Sequence, residues 1–445
     1  MMTIDEFGRR LRAHEVTSEQ VTDECLKRID AGNTRINAFI LVMADEARRQ
    51  AREADIALAA GHDRGPLHGV PLSIKDLLDI RGVATTAASR VREGHRADRD
   101  AVTIAYLRQA GAVFLGKTNL HEFAFGTTSE ESAFGPARNP HDPSRSPGGS
   151  SGGSAASVAA GMALATIGTD TGGSIRIPAA ACGVVGLKPS LGDVSIDGVV
   201  LLSRTMDHVG PLAQTVGDAC LVYHALLGDA GATPPAPMPV NGLRLAVPRK
   251  YFCDLLDEEV RARFEEALDR LRTAGAHVDE IEIRHAGDIA PIYLHIVLGD
   301  AAAYHATTLE TMPERYTPPV RMRLEMAGYV MAEDYVRALA GREVLRREVD
   351  AAIAQHDALV LPTLPIPAPT IGASSVQVGS TTEPLRNVML RLTQLFNVTG
   401  HPAISLPMGR TSTGLPCALQ LVGGRAQTDA LLRVALACET HVTLQ

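Results

Sequence analysis

The sequence predicts an α/β protein, a sheet carrying helices on its faces, on three observations. The stretch "AVTIAYLRQAGAVFLGKTNL", residues 101–120, reads as a helix, a stop at Gly111 and a strand. From Glu258, "EEVRARFEEALDRLRTAGAHVDEIEI" repeats the same order, and alternating units of this kind pack helices against a sheet. Hydrophobic residues make up 45% of 445 and charged residues 21%, the balance of a globular chain with a large core.

The elements follow in order. Thr17, with Gln20 three residues on, is a capping-box pattern, and Val21, Cys25 and Ile29 continue at helical spacing, so a helix starts there. "GPLHGVPLSIKDLLDI", from Gly65, reads as a turn into a short buried strand with Lys75, an unexpected charge, at its end. "AASVAAGMALATIG", residues 155–168, is a small-residue helix running into a strand. The proline-rich connection from Gly228 to Gly242 marks the main internal boundary, and residues 285–356 beyond it are mostly helical. "DALVLPTLPIPAPTIG", residues 357–372, is a strand followed by a proline-laden loop. The segment from Phe396 to Gly424 reads as strand, turn at Ser412 to Gly414, strand: a hairpin that rejoins the sheet. The organisation expected is a single domain over 1–445. Its core is 65–215, a variable, mainly helical cap or insertion occupies about 240–360, and 360–445 returns to the sheet.

Composition narrows the function classes. Lys and Arg number 43 against 51 Asp and Glu, a net charge of −8, with no basic run to track a phosphate backbone. There is no Trp and only 4% aromatic residue, so stacking platforms for nucleic acid are not expected. The six cysteines are far apart and form no CxxC pair, which points away from zinc and disulfides and toward a reducing cytoplasm. The N-terminus is too charged for a secretory signal, and no uninterrupted apolar run reaches about 18 residues, so neither export nor a membrane is expected.

The stretch "SPGGSSGGSAASVAAGMALATIGTDTGGSIRIPAAACG", Ser146 to Gly183, carries the chemistry. It is too apolar for a flexible linker, lacks the GK[ST] ending of a phosphate loop and lacks the GxGxxG spacing of a dinucleotide site. Thr171, Gly172, Gly173 and Ser174 form a tight run whose backbone N–H groups can point inward and hold a developing oxyanion. A reactive serine needs a base, and no His lies in this stretch. A lysine buried among apolar residues loses its preference for the charged form, so Lys75 can serve.

"GVPLSIKD" (69–76), "GKTNLHEFAFGTTSEESAFGPARNP" (116–140), the glycine and serine stretch and "GLKPS" (186–190) together resemble the amidase signature family. The match is strong over about 65–215 and returns weakly at "GHPAISLP" and "GLPCALQLVG". The resemblance implies a mixed central β-sheet covered by helices on both faces, and a catalytic set of Lys75, Ser150 as the serine of a cis peptide, and Ser174 as nucleophile. It further implies an oxyanion loop of Thr171, Gly172, Gly173 and Ser174, supporting roles for Asp170 and Arg176, and help from Ser151 and Thr169. Lys117, His121, His208 and His401 are read as structural. Cys182 lies among small apolar residues that suppress its thiolate.

All working groups in this scheme belong to the protein, so no metal and no organic cofactor is expected. The resemblance leaves three functions to compare: a hydrolase, the glutamine-hydrolysing A subunit of a tRNA-dependent amidotransferase, and a scaffold that has lost its chemistry. The intact Lys75, Ser150, Ser174 and glycine loop disfavour the last. Ile177, where transamidating subunits usually carry glutamine, and "GDVSIDGVV" in place of their "GRVS" wording favour a stand-alone hydrolase. Its expected substrates are small amides, with aryl esters and carbamates besides, and its expected state is a cytoplasmic monomer or homodimer. Met, Tyr, Leu and Val between Leu294 and Met331 suit an apolar cover over the substrate, and plain core packing explains the same residues about as well.

Overall fold

The helix, glycine, strand units close on a single mixed sheet. The computed structural model describes residues 2–443, so Met1, Leu444 and Gln445 of the expected span lie outside the described residues. Its strands are β1 (Phe39–Val42), β2 (Pro71–Lys75), β3 (Val113–Thr118), β4 (Ala165–Asp170), β5 (Val185–Lys188), β6 (His208–Ala213), β7 (Arg244–Pro248), β8 (His277–Ile281), β9 (Ala358–Pro362), β10 (Ser375–Val378), β11 (Thr381–Pro384), β12 (Ala403–Arg410) and β13 (Pro416–Val422). Eleven of them form the sheet, in the order β1-β3-β2-β4-β6-β5-β12-β13-β9-β7-β8, and β10 with β11 makes a separate ribbon. The β3-β2-β4 and β9-β7-β8 neighbours are parallel, and the other pairings are antiparallel. Strands β2, β3, β4 and β9 are buried along their whole length, as flanking helices require.

The local signals act where the sequence puts them. Thr17 and Gln20 form a reciprocal capping box at the start of the helix Ser18–Ile36. Gly111, at φ +82°, ends the helix Val102–Gln109 ahead of β3. The middle of the chain forms three long helices, Ile289–Thr311, Pro318–Ala327 and Ala332–Ile353. The C-terminal hairpin does more than rejoin the sheet at its rim: β12 and β13 enter its centre, between β5 and β9.

Strand polarity fixes the site. β2 and β4 run parallel as neighbours, with Ser73 opposite Thr166 and Ile74 opposite Ile167. Their C-terminal ends therefore share one edge of the sheet, and Lys75, Thr169 and Asp170 stand there, where α/β sheets open their crevices.

Candidate active site

Lys75 is wholly buried, and its Nζ reaches three hydroxyls: Ser150 Oγ at 2.9 Å, Ser151 Oγ at 2.8 Å and Thr169 Oγ1 at 2.7 Å. Burial pulls its pKa down from 10.5 to about 7, with Asp207 and Asp170 pushing weakly the other way. An ammonium would donate to all three oxygens. A neutral amine has two N–H groups and one lone pair, so one hydroxyl must turn its proton toward the nitrogen. The Ser151 hydroxyl already donates to Thr169 O at 3.1 Å, which leaves Ser150 or Thr169 for that task.

The frame around Ser150 is made of short-range turns pinned from outside. The Gly149–Ser150 peptide is cis. Ser150 O accepts from His121 N and from Ser129 Oγ, each at 3.1 Å, and the same Ser129 oxygen accepts from Gly152 N. Ser151 N donates to Ser174 O at 3.2 Å, which ties the two serine loops together.

Ser174 follows β4 on a loop that leads into the short helix Arg176–Cys182, and it is 6% exposed. Its hydroxyl has no hydrogen-bond partner among the described residues, and neither do the backbone N–H groups of Thr171, Gly172, Gly173 and Ser174. Four successive buried donors without acceptors are uncommon, because such groups are normally satisfied. Gly173 stands at φ +145°, and a Cβ on Gly172 would collide with Tyr293 Oη, so both positions require glycine.

Outside clamps hold this loop in shape. Asp170 accepts from Ile175 N, pairs with Arg176 through both carboxylate oxygens at 3.1 Å, and receives Asn397 Nδ2 at 2.7 Å. Burial opposes its charge, but the Arg176 guanidinium holds the carboxyl well below the usual range. Arg176 also donates to Gln420 Oε1 and Asn397 Oδ1, so four of its five N–H groups are engaged within the protein. Thr393 Oγ1 donates to Gly172 O at 2.6 Å, and Thr171 Oγ1 donates to Asp207 Oδ1 at 2.5 Å. Burial raises Asp207 to about 6.

Lys75, Ser150, Ser151, Thr169, Asp170, Thr171, Gly172, Gly173, Ser174 and Arg176 thus converge on one edge of the sheet. Sequence reasoning missed Asp207, Tyr293, Thr393 and Asn397, which come from segments with no motif of their own, and Gln420, which lies in the weakly matching "GLPCALQLVG". Lys117 forms a buried ion pair with Asp76 at 2.8 Å beside β2. Of the histidines, His208 bonds Met206 O and Lys188, His401 bonds Thr399 and Asp350, and none bonds Ser174. Cys182 is raised by burial, and its thiol donates to Pro147 O. No cluster of three or more His, Cys, Asp or Glu stands ready for a metal ion among the described residues. No described helix is long and apolar enough to cross a membrane.

Of the apolar residues expected between Leu294 and Met331 to cover the substrate, Leu294 lines a cavity beside the site. Ile296, Val297 and Ala301 pack into the core, while Met322, Met326, Tyr329 and Met331 face outward, Tyr329 at 85% exposure. Two cavities lie beside the site. One of about 470 Å³ has a mixed wall, apolar at Leu255, Leu294 and Leu390 and charged at Glu383, Arg386 and Arg391, with Tyr293 between. Another of about 340 Å³ is lined by His121, Thr128, Glu130, Glu131, Arg323 and Arg386.

Comparison with known proteins gives the family and the fold. The family model described as Amidase matches residues 20–432. An amidase of Pseudomonas putida is 41% identical, over 99% of this chain and 96% of its own length. The A subunit of the glutamyl-tRNA(Gln) amidotransferase of Roseiflexus sp. (strain RS-1) is 39% identical over 97% and 95%. A crystal structure of an amidase superposes with a TM-score of 0.94 at 38% identity, covering 99% of this chain and all of the other.

Proposed function

Since this chain belongs to the amidase family, hydrolases that act on amide carbon–nitrogen bonds, we propose that Ser174 is its nucleophile, Lys75 its general base and Ser150 the hydroxyl between them. The observation that carries this reading is the run of four unpaired N–H groups at 171–174 beside a buried lysine of lowered pKa. Ser174 Oγ attacks the carbonyl carbon as its proton passes to Ser150 and the Ser150 proton passes to Lys75. The carbonyl oxygen takes the negative charge and fills the empty donors, each worth about 2.7–4 kcal/mol in acyl transfer. As the carbon–nitrogen bond breaks, the proton returns along the same path to the departing amine, and water then releases the acyl group by the reverse sequence. The Ser174 hydroxyl has no fixed partner before substrate arrives, a common state of catalytic hydroxyls without ligand.

This machinery recognises a carbonyl and a leaving group that needs a proton, so aryl esters and carbamates are proposed as further substrates of the same site. Nothing in the scheme requires a second protein, and a monomer or homodimer in the cytoplasm suits six free, buried cysteines. The alternative, a glutamine-hydrolysing A subunit, draws on the 39% identical relative. Against it stands Ile177, fully buried with its Cδ1 toward Gly173, an apolar side chain where transamidating subunits usually carry an amide.

Labelling with a serine-directed fluorophosphonate and mapping the adduct tests the assignment. Modification of Ser174, lost in Ser174→Ala, is expected. A label on Ser150 or Ser151 with Ser174 untouched overturns it. Turnover of glutamine alone, or only with a partner protein, would install the amidotransferase reading.

A further inference from the structure

Arg386 is the one residue common to the two cavities described above. It sits in the helix Leu385–Leu390, whose last residue packs on the oxyanion loop: a Cβ on Gly172 would lie 3.0 Å from Leu390 Cδ2. Arg386 and Leu390 are one helical turn apart, about 6 Å along the axis. On its other side, Arg386 lies over the ring of Phe125 at 5.6 Å, in the segment whose Ser129 holds Ser150. Arg386 therefore lines both cavities, with the Phe125 ring against its guanidinium and its helix packed, through Leu390, on the loop that carries Ser174.

A guanidinium has five N–H donors, and among the described residues Arg386 makes no side-chain hydrogen bond and no ion pair. Its Nε is buried and has no acceptor. No acceptor among the described residues reaches it. Arg323 and Arg391, donors themselves, are engaged on Phe125 O and Tyr251 O, and Glu130, whose Oε2 accepts from Gly372 N while its Oε1 is buried without a partner, makes no pair with Arg386. Glu131 and Glu383 line the cavities without reaching Arg386. The Tyr293 hydroxyl, a second donor in the larger cavity, also lacks a partner. Arg386 as a residue is half-buried, but its Nε is shut off from solvent, and a buried donor left empty beside a substrate cavity marks the place of an acceptor that comes with the ligand.

We propose that Arg386 binds a carboxylate of the substrate, so that the amides this enzyme prefers carry an anionic group besides the scissile bond. The inference deepens the reading of Ser174 and Lys75 and rests on it. A carboxylate matches the planar guanidinium in two parallel hydrogen bonds, and the Phe125 face keeps water from one side of the pair. A neutral acyl chain in the same place would leave Nε unsatisfied.

The test uses matched pairs: mono-p-nitroanilides of succinic, glutaric and adipic acid beside the butyryl, pentanoyl and hexanoyl anilides, which replace the carboxylate by a methyl group. In the wild type, kcat/KM for at least one anionic member should exceed that of its neutral partner by about tenfold or more, the size of a charge-assisted pair. Arg386→Gln should collapse that ratio, and Arg386→Lys should keep part of it. A wild type with no anionic preference at any chain length, or a ratio unchanged in Arg386→Gln, overturns the proposal. If no anilide is cleaved, the catalytic reading has failed, and binding decides this one. Succinate, glutarate and adipate are titrated calorimetrically into Ser174→Ala and into the Ser174→Ala, Arg386→Gln double variant. A loss of affinity of about tenfold in the double variant sustains the carboxylate site, and equal or absent binding rejects it.

Discussion

Lys75 sits between two opposed effects, with burial disfavouring its charge and Asp207 and Asp170 favouring it. Burial wins and leaves a pKa of about 7. A base must be neutral to accept a proton, so kcat/KM should rise with pH through about 7 and level off above it; a rate flat from pH 5 to 9 would exclude Lys75. Asp207→Asn removes a charge that supports the ammonium while keeping an oxygen for Thr171 Oγ1, so the rising limb should move to lower pH. Movement toward higher pH would contradict the assignment. Ser150→Ala should lower turnover about 100-fold or more with less change in KM, since a methyl group neither donates nor accepts, and a loss within about twofold would sink the relay. The proposed residues that lie in two local motifs, Lys75 in "SIKD" and Ser150 and Ser174 in the glycine stretch, could be picked out from sequence. Asp207, Thr393 and Arg386 could not, because each comes from a distant segment and only the folded sheet edge gives it a neighbour.

Elements show the same division between local and remote causes. The capping box at Thr17, the stop at Gly111 and the hairpin at 412–414 are short-range chemistry and could be read directly. How the first helix docks could not, because Ile4–Arg12 is held by a residue 214 positions away: Ile4 N donates to Asp218 Oδ1 at 2.9 Å. Burial raises Asp218 from its ordinary 3.8 to about 7, against the hydrogen bonds from Ile4 and Asp5. The folded chain therefore binds a proton at Asp218 that the unfolded chain releases between about pH 4 and 7. Stability from this group is full at the acid end of that window and is lost as pH rises through about 7. Asp218→Asn keeps an acceptor for Ile4 N and cannot ionise, so it should remove this part of the slope. Urea unfolding at pH 5 and pH 8 measures it: the fall in stability across that interval should be smaller in the variant than in the wild type. An equal fall would show that Asp218 is ionised throughout.

At the scale of the molecule, chain order and sheet order disagree, and that disagreement bears on how the protein folds. The early strands β2, β3 and β4 and the late strands β7, β8 and β9 meet only through β6, β5, β12 and β13, with β12 and β13 arriving last. The core expected over 65–215 is therefore incomplete without the final segment. Arg176, inside that core, pairs with Asp170 but also donates to Asn397 and Gln420, which lie 221 and 244 positions further on. Asn397 in turn caps Asp170, and Gln420 Nε2 holds Leu392 O at 2.6 Å, just ahead of the Thr393 that anchors Gly172. Each hydrogen bond removed from a buried charged group costs about 1.5–3 kcal/mol, against a total stability of about 5–15 kcal/mol for a typical domain. A chain ended at residue 356 loses β9, β12, β13, Asn397 and Gln420 together, and the losses in strand pairing and charge satisfaction fall on the same place. We therefore expect the truncated chain not to fold. The full chain should unfold in one transition, with far-ultraviolet dichroism and tyrosine fluorescence coinciding and calorimetric and van't Hoff enthalpies equal. Two resolved transitions, with the helical segment of 240–360 melting apart from the rest, would show instead that the middle of the chain is a domain of its own.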